Sequence, residues 1–311
     1  MARILCLTLN PALDLTLSLE ALQPGAVNRC QGLSSRAAGK GLNVAQVLAD
    51  LGHRVTVGGF LGAANPQAFE RLFERRGFVD AFVRVPGETR SNIKLAERDG
   101  RVTDLNGPGP QVEAEHRAAL LDALEPIVAG HDALVVAGSL PQGVSPEWFA
   151  ALLRRLQAFG LPLALDSSGA GLRAGLALAP WLVKPNEEEL AEACGLASFD
   201  SAALLTAALR LHRQGVEHLL LSRGAAGVCW LGPGFALQAT PPSVRVASTV
   251  GAGDSLLAAT LHGLLSGWPA ERTLRLATAI AAQAVTQLGI GIHDREQLAR
   301  LEAGVAVTAL A

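Results

Sequence analysis

In the second half of the chain, short apolar runs alternate with longer segments whose apolar positions recur at helical spacing. Runs at 133–137, 161–165, 181–183 and 218–222 predict buried strands, and 146–159, 187–194 and 202–214 predict helices between them. Strand and helix in alternation is the rhythm of an α/β fold around a mainly parallel sheet, because each parallel crossover needs a covering element. The first ten residues are apolar and interrupted by Pro11, which reads as a first buried strand, far too short for a membrane span.

The first third of the chain has a different texture. Segments at 14–19, 27–33 and 89–104 are short and separated by turn residues such as Pro24-Gly25 and Asp99-Gly100, the second of which is a hairpin signal. They predict a small antiparallel sheet beside the main body, with strands drawn from about 12–20, 27–37 and 89–106. Without a repeat, a low-complexity tract or a linker, residues 1–311 read as a single domain.

Composition narrows the class. Half the residues are hydrophobic, 17% are charged and the formal net charge is -2, with no basic stripe for nucleic acid and no acidic tail. The four cysteines, Cys6, Cys30, Cys194 and Cys229, have no zinc-like spacing and read as reduced thiols in a cytoplasmic protein. The seven histidines are equally unpatterned and receive no chemistry. Lysine is scarce: only Lys40, Lys94 and Lys184 occur, against 23 arginines, so each lysine is a candidate for a place where a compact ammonium is wanted.

Two glycine-rich runs could carry chemistry. Gly251-Ala252-Gly253-Asp254 opens an apolar helical run at 256–265, and unpaired N–H groups at a helix N-terminus can hold negative charge developing on a transferred phosphoryl group. An Asp there can take the proton of an attacking hydroxyl; read in isolation, the run serves as well for a structural turn capped by Asp254. Ala38-Gly39-Lys40-Gly41-Leu42-Asn43 has the same design, with room for close approach at the glycines, a point charge at Lys40 and an amide at Asn43 for sugar hydroxyls. No P-loop and no protein-kinase motif is present.

In order and separation these two runs resemble the signature regions of the ribokinase-like PfkB carbohydrate kinases. The resemblance spans essentially the whole chain, through Asn10-Pro11-Ala12-Leu13-Asp14, Gly138-Ser139-Leu140-Pro141, Asp166-Ser167-Ser168 and Lys184-Pro185-Asn186. It implies a three-layer α/β/α body with a small β-sheet lid, and a homodimer formed through that lid. It implies ATP and Mg²⁺ as cofactors, with Asp254 as catalytic base and Gly251, Ala252 and Gly253 as the anion hole. Asp14, Gly39, Lys40, Asn43, Arg90, Asn92 and Ser139 would bind substrate, with Lys94 as a neighbour; Arg29 would reach a phosphate across a subunit interface or be a solvated strand residue. Lys184, Asn186, Ser222, Gly224, Gly227, Thr249 and Val250, with Gly251 and Gly253, would bind nucleotide, and Asn186 and Glu189 would organise Mg²⁺ through its waters, while Glu187 and Glu188 serve the helix dipole.

Val57-Gly58-Gly59-Phe60-Leu61-Gly62 and Thr89-Arg90-Ser91-Asn92-Ile93-Lys94-Leu95 resemble the branch of that family acting on fructose 1-phosphate. The implied reaction is transfer from ATP to its C6 hydroxyl, with tagatose 6-phosphate or fructose 6-phosphate as alternative substrates and a non-catalytic sugar-phosphate sensor as the alternative of another class. Two positions depart from the broader pattern: Ser248 stands where these enzymes often carry Asp, and Lys40 where some 6-phosphofructokinase relatives carry glycine.

Overall fold

The computed structural model describes residues 1–196 and 200–310. In chain order the body opens with β1 (Arg3–Thr8), followed by the lid strands β2 (Ala12–Leu19) and β3 (Gly32–Ala38), then α1 (Lys40–Asp50), β4 (Arg54–Gly62), α2 (Gln67–Arg76) and β5 (Val79–Val85). The lid resumes with β6 (Ser91–Glu97) and β7 (Val102–Asn106). After it come α3 (Ala114–Val128), β8 (Ala133–Ala137), α4 (Pro146–Gln157), β9 (Leu163–Asp166), α5 (Gly169–Leu176), β10 (Leu182–Val183), α6 (Glu187–Cys194), α7 (Ser201–Arg213) and β11 (His218–Ser222). The chain closes through β12 (Val228–Gly232), β13 (Phe235–Thr240), α8 (Ala252–Leu265), α9 (Ala270–Ala284), α10 (Arg295–Gly304) and β14 (Ala306–Ala309).

Among the described residues the main sheet has ten strands, in the order β14-β13-β12-β11-β10-β9-β8-β1-β4-β5. It is parallel from β5 to β11 and antiparallel over the three strands at the other edge. Strand residues point alternately to opposite faces, so the continuous apolar runs serve two cores at once. Ile4, Cys6, Val135 and Ala164 join one core with α1, α2, α8, α9 and α10, whereas Leu5, Leu7, Val136 and Leu165 join the other with α3 to α7. The result is the expected three-layer α/β/α body.

The second sheet, β3-β2-β6-β7, is the lid. β2 pairs antiparallel with β3 but parallel with β6, so this sheet is mixed where a purely antiparallel one was expected. The Asp99-Gly100 turn does join β6 to β7, with Gly100 at φ 93° and its N–H donating to the Glu97 carbonyl.

The strand expected to begin near residue 27 begins at Gly32. Asn28 accounts for the difference: its side chain accepts from Gln23 N–H and donates to the carbonyls of Gln23 and Ala26, folding the segment into a local loop that competes with pairing. Strand pairing resumes only at Gln31, whose N–H reaches the Ser18 carbonyl. Arg29 is therefore an exposed loop residue, not a strand residue.

Candidate active site

The body strands end where the lid begins to overhang, and a cleft of about 1180 Å³ runs between them. Asp166 is the last residue of β9, Lys184 follows β10, and Ser222 ends β11, so the sheet delivers polar groups to the carboxyl ends of its strands, where open α/β sheets bind ligands.

α8 begins at one wall of this cleft. Gly251, at φ 82°, caps it in the left-handed conformation that favours glycine, and a Cβ there would lie 2.3 Å from Ile290 Cδ1 and displace the end of that side chain. The first intrahelical bond runs from Ser255 N–H to the Gly251 carbonyl at 2.8 Å. The N–H groups of Ala252, Gly253 and Asp254 precede it, have no acceptor in the helix, and belong to residues on the cleft wall.

Asp254 is only 6% exposed. Its Oδ2 accepts from Asn43 Nδ2 at 2.7 Å, a contact made possible because α1 packs beside α8. Gly39, at φ 139°, makes the sharp entry into α1, and a Cβ on it would meet Thr8 Cγ2 at 2.8 Å. Burial first, then the negative charge of Asp166, push the Asp254 carboxyl up to about 6, against the opposing pull of Asn43, Lys40 and Lys184. A carboxylate so placed has raised affinity for a proton yet is ionised at neutral pH, as a general base requires.

Asp166, fully buried, ties two of the three lysines together. Lys40 Nζ lies 2.8 Å from Asp166 Oδ1 and 3.3 Å from Glu189 Oε1, and Lys184 Nζ lies 3.0 Å from Asp166 Oδ2. Burial would lower the Lys40 pKa, but Asp166 and Glu189 outweigh it and hold the ammonium above its usual range. Burial would likewise raise Asp166, and the two ammoniums outweigh that and hold it down. Lys40, expected by resemblance to bind substrate, thus stands within the charge network around Asp254. Asp166 opens the run Asp166-Ser167-Ser168, but nothing in its neighbours along the chain signals that it bridges two lysines.

The third lysine sits on the lid. Lys94 Nζ and Asn92 Nδ2 each lie 3.1 Å from a different oxygen of Asp14. Register explains the grouping, because Asp14 is paired with Asn92 and Thr16 with Lys94, so Asp14, Asn92 and Lys94 share the face that looks into the cleft. Arg90 enters between lid and body, where its Nη2 donates to the Asn10 carbonyl at 3.2 Å and its buried Nε has no protein partner. Ser139 is the one expected substrate residue absent from the cleft wall: its hydroxyl accepts from Asn10 Nδ2 at 3.2 Å, behind the residue whose carbonyl Arg90 contacts. Arg29 is likewise off the cleft wall.

At the other end of the cleft, Asn186 and Glu189 form a reciprocal capping box on α6, with Asn186 Oδ1 accepting from Glu189 N–H at 2.7 Å and Glu189 Oε2 from Asn186 N–H at 2.9 Å. Ser222, Gly224 and Gly227 surround a short 3₁₀ turn, and a Cβ on Gly227, at φ 93°, would collide with the Ala239 carbonyl at 1.9 Å. The cleft is also lined by the apolar residues Val246, Ala281, Ala282 and Val285, which the sequence reading missed. Small residues on the helix α9 carry no local motif, and only the tertiary fold brings them beside Thr249 and Val250.

No group of three or more His, Cys, Asp or Glu side chains disposed to hold a metal occurs among the described residues. Capping takes the single side-chain oxygen of Asn186 and Oε2 of Glu189, whose Oε1 faces Lys40, so these hard oxygens fit Mg²⁺ through its water shell and not as direct ligands.

The pfkB family carbohydrate kinase model matches residues 7–296. The chain is 46% identical over 308 residues to a 1-phosphofructokinase of Vibrio cholerae, covering 99% of this chain and 97% of that one. It is 46% identical over 304 residues to a 1-phosphofructokinase of Escherichia coli, covering 97% of both. Among solved structures, the phosphofructokinase-2 of Escherichia coli in complex with potassium superimposes with a TM-score of 0.90 at 29% identity, over 97% of this chain and 99% of that one. A buried Asp at a glycine-opened helix, a lid bearing sugar-suited polar groups and a full-length match agree, and the chain belongs to the pfkB family of carbohydrate kinases.

Proposed function

We propose that the chain transfers the γ-phosphoryl group of ATP to the C6 hydroxyl of fructose 1-phosphate, giving fructose 1,6-bisphosphate and ADP. The observation that carries this reading is Asp254, buried, held by Asn43 and raised in proton affinity beside three unpaired helix N–H groups. Relatives named 1-phosphofructokinase at 46% identity support the choice of sugar.

Asp14 receives sugar hydroxyls, with Asn92 and Lys94 fixing its two oxygens. Arg90, whose Nε has no protein partner, takes the phosphate already on the substrate. Asp254 accepts the C6 hydroxyl proton as O6 bonds to the γ-phosphorus and the bond to the β–γ bridging oxygen breaks, leaving ADP. The N–H groups of Ala252, Gly253 and Asp254 stabilise charge on the moving phosphoryl, so catalysis is positioning and electrostatics. Lys40 and Lys184 add positive charge beside it, held in place by Asp166. Mg²⁺, when bound with ATP, neutralises phosphate charge, and Asn186 and Glu189 would hold its water shell.

The lid face turned away from the cleft carries Leu15, Leu17, Leu33, Ile93, Leu95 and Leu105, with Leu33 and Leu105 70% and 51% exposed. A second copy of the lid, apolar face to apolar face, is the partner such a surface fits, and a homodimer follows. Among the described residues no helix is long and apolar enough to cross a membrane; a cytoplasmic site, where ATP and reduced thiols coexist, suits the reaction.

The test is kcat/KM of the purified chain with fructose 1-phosphate, fructose 6-phosphate and tagatose 6-phosphate. Fructose 1-phosphate is expected to give the highest value. A lower value than with both 6-phosphates would overturn the substrate, and no turnover with any ketose phosphate would favour a sugar-phosphate sensor.

A further inference from the structure

Arg36 stands on β3 directly opposite Asp14, on the same face of the lid but exposed at the rim outside the cleft lining, and it does not pair with that carboxylate. Asp14 is already held by Asn92 and Lys94, and among the described residues no carboxylate forms an ion pair with Arg36. Its Nη1 instead donates to the backbone carbonyl of Leu288, on the loop between α9 and α10. A charged lid side chain thus spends its hydrogen bond on the main chain of the loop that follows α9.

That loop is braced at both ends. Ile292 N–H donates to Asp50 Oδ2 at 2.8 Å, and Asp50 in turn accepts from Arg76 at 2.7 Å. Thr286 Oγ1 donates to the Gln283 carbonyl at 2.8 Å, and Gln287 Nε2 to the Gly291 carbonyl at 2.7 Å. Between these anchors Ile290 occupies the space over Gly251, where any Cβ would collide with it. Leu288, the residue Arg36 reaches, is the exposed tip, at 74% of its full exposure.

We infer that Arg36 is a positioning residue that latches the lid to the loop backing the N-terminus of α8. The inference rests on the reaction proposed above. With the latch engaged, the strand opposite Asp14 is tied to the element that shapes the anion hole, so closing over sugar and organising the transfer site become one event. Without it the lid closes less tightly, and water can reach the γ-phosphorus: its oxygen bonds to phosphorus, the bridging bond breaks, and ADP, inorganic phosphate and a proton leave in place of the bisphosphate.

The experiment compares the full-length chain with Arg36→Ala and Arg36→Lys, measuring KM for fructose 1-phosphate, kcat, and the ratio of ADP to bisphosphate formed. Arg36→Ala is expected to raise the KM about tenfold, the effect of losing one charge-assisted hydrogen bond, and to form more ADP than bisphosphate. Arg36→Lys keeps a donor and recovers part of the coupling. An active parent whose Arg36→Ala variant keeps the parental KM and equal amounts of ADP and bisphosphate overturns the latch and leaves the reaction standing. A lowered melting temperature with unchanged KM and ratio also overturns it, as a merely structural role. A parent that makes no bisphosphate from any ketose phosphate overturns the reaction, and the latch with it.

Discussion

Asn43 Nδ2 lies 2.7 Å from Asp254 Oδ2, joining the first turns of two helices whose residues are 211 positions apart in the chain. This bond is the main local influence holding the Asp254 carboxyl down against burial and Asp166, which together push it up to about 6. A base works deprotonated, so turnover is expected to fall as pH drops through about 6. In Asn43→Ala the donor is gone, and the acid limb of the kcat profile moves to higher pH. An acid limb that stays where it was would show that Asn43 does not tune the base.

The same carboxyl makes a stability prediction. Its folded pKa, about 6, lies above the unfolded value, so the folded state holds the proton more tightly, and stability falls as pH rises from the unfolded pKa through about 6. Above that range the buried charge costs its full amount. Asp254→Asn should lose turnover on the order of 10²-fold or more, keep ligand binding, and melt above the parent at neutral pH. The gap should close as pH falls below about 6 and the parent's own carboxyl protonates. Thermal melts of both chains across that range, read beside their turnover, check the coupling of cost and function.

Asp166 should behave in the opposite sense. Asp166→Asn leaves Lys184, 3% exposed, without the carboxylate 3.0 Å away that compensates it. Breaking a buried pair from one side is destabilising by about 3–5 kcal/mol, so a large fall in melting temperature is expected. Asp166 also repels the charge on Asp254, and its removal should shift the acid limb of any remaining activity to lower pH. A melting temperature equal to the parent's would show that Lys184 finds other compensation.

What could be read along the chain follows from how local each signal is. The strands at 133–137 and 218–222 and the helix at 187–194 have the boundaries expected from their apolar pattern, because burial on both faces or a capping box is written in adjacent residues. The helix read at 256–265 begins at Ala252, since Gly253 and Asp254 look like turn residues until the left-handed cap at Gly251 is seen to launch them into the helix. The lid strand at Gly32 was displaced by a loop that Asn28 builds from three polar contacts, a choice no periodicity announces. Asp166 and the wall at Ala281 and Ala282 became site residues only through the order of the strands and the packing of α9.

The lid also predicts the oligomeric state. Leu33 and Leu105 are on the two edge strands, both on the face away from the cleft. Leu105→Glu places a charge on that apolar face and should shift the chain toward monomer in sedimentation velocity, with the body still folded by circular dichroism. The sugar KM should rise as the lid loses its support. A parent that sediments as a monomer would remove the lid-to-lid dimer.

Gly251 offers the sharpest separation of backbone from packing. Its φ of 82° disfavours any side chain, by about 1–2 kcal/mol, and a Cβ there would stand 2.3 Å from Ile290 Cδ1. Gly251→Ala therefore faces two penalties, and both tilt the first N–H groups of α8 away from the phosphoryl group. Ile290→Ala removes the collision and leaves the backbone conformation untouched. In the double variant the packing share should return while the backbone share stays lost, so kcat should rise above that of Gly251→Ala and remain below the parent. The nucleotide KM should change less than kcat, because the N–H groups meet the phosphoryl group most strongly as charge develops on it during transfer. A double variant no better than Gly251→Ala would place the whole effect in the backbone, and one equal to the parent would place it in the contact with Ile290.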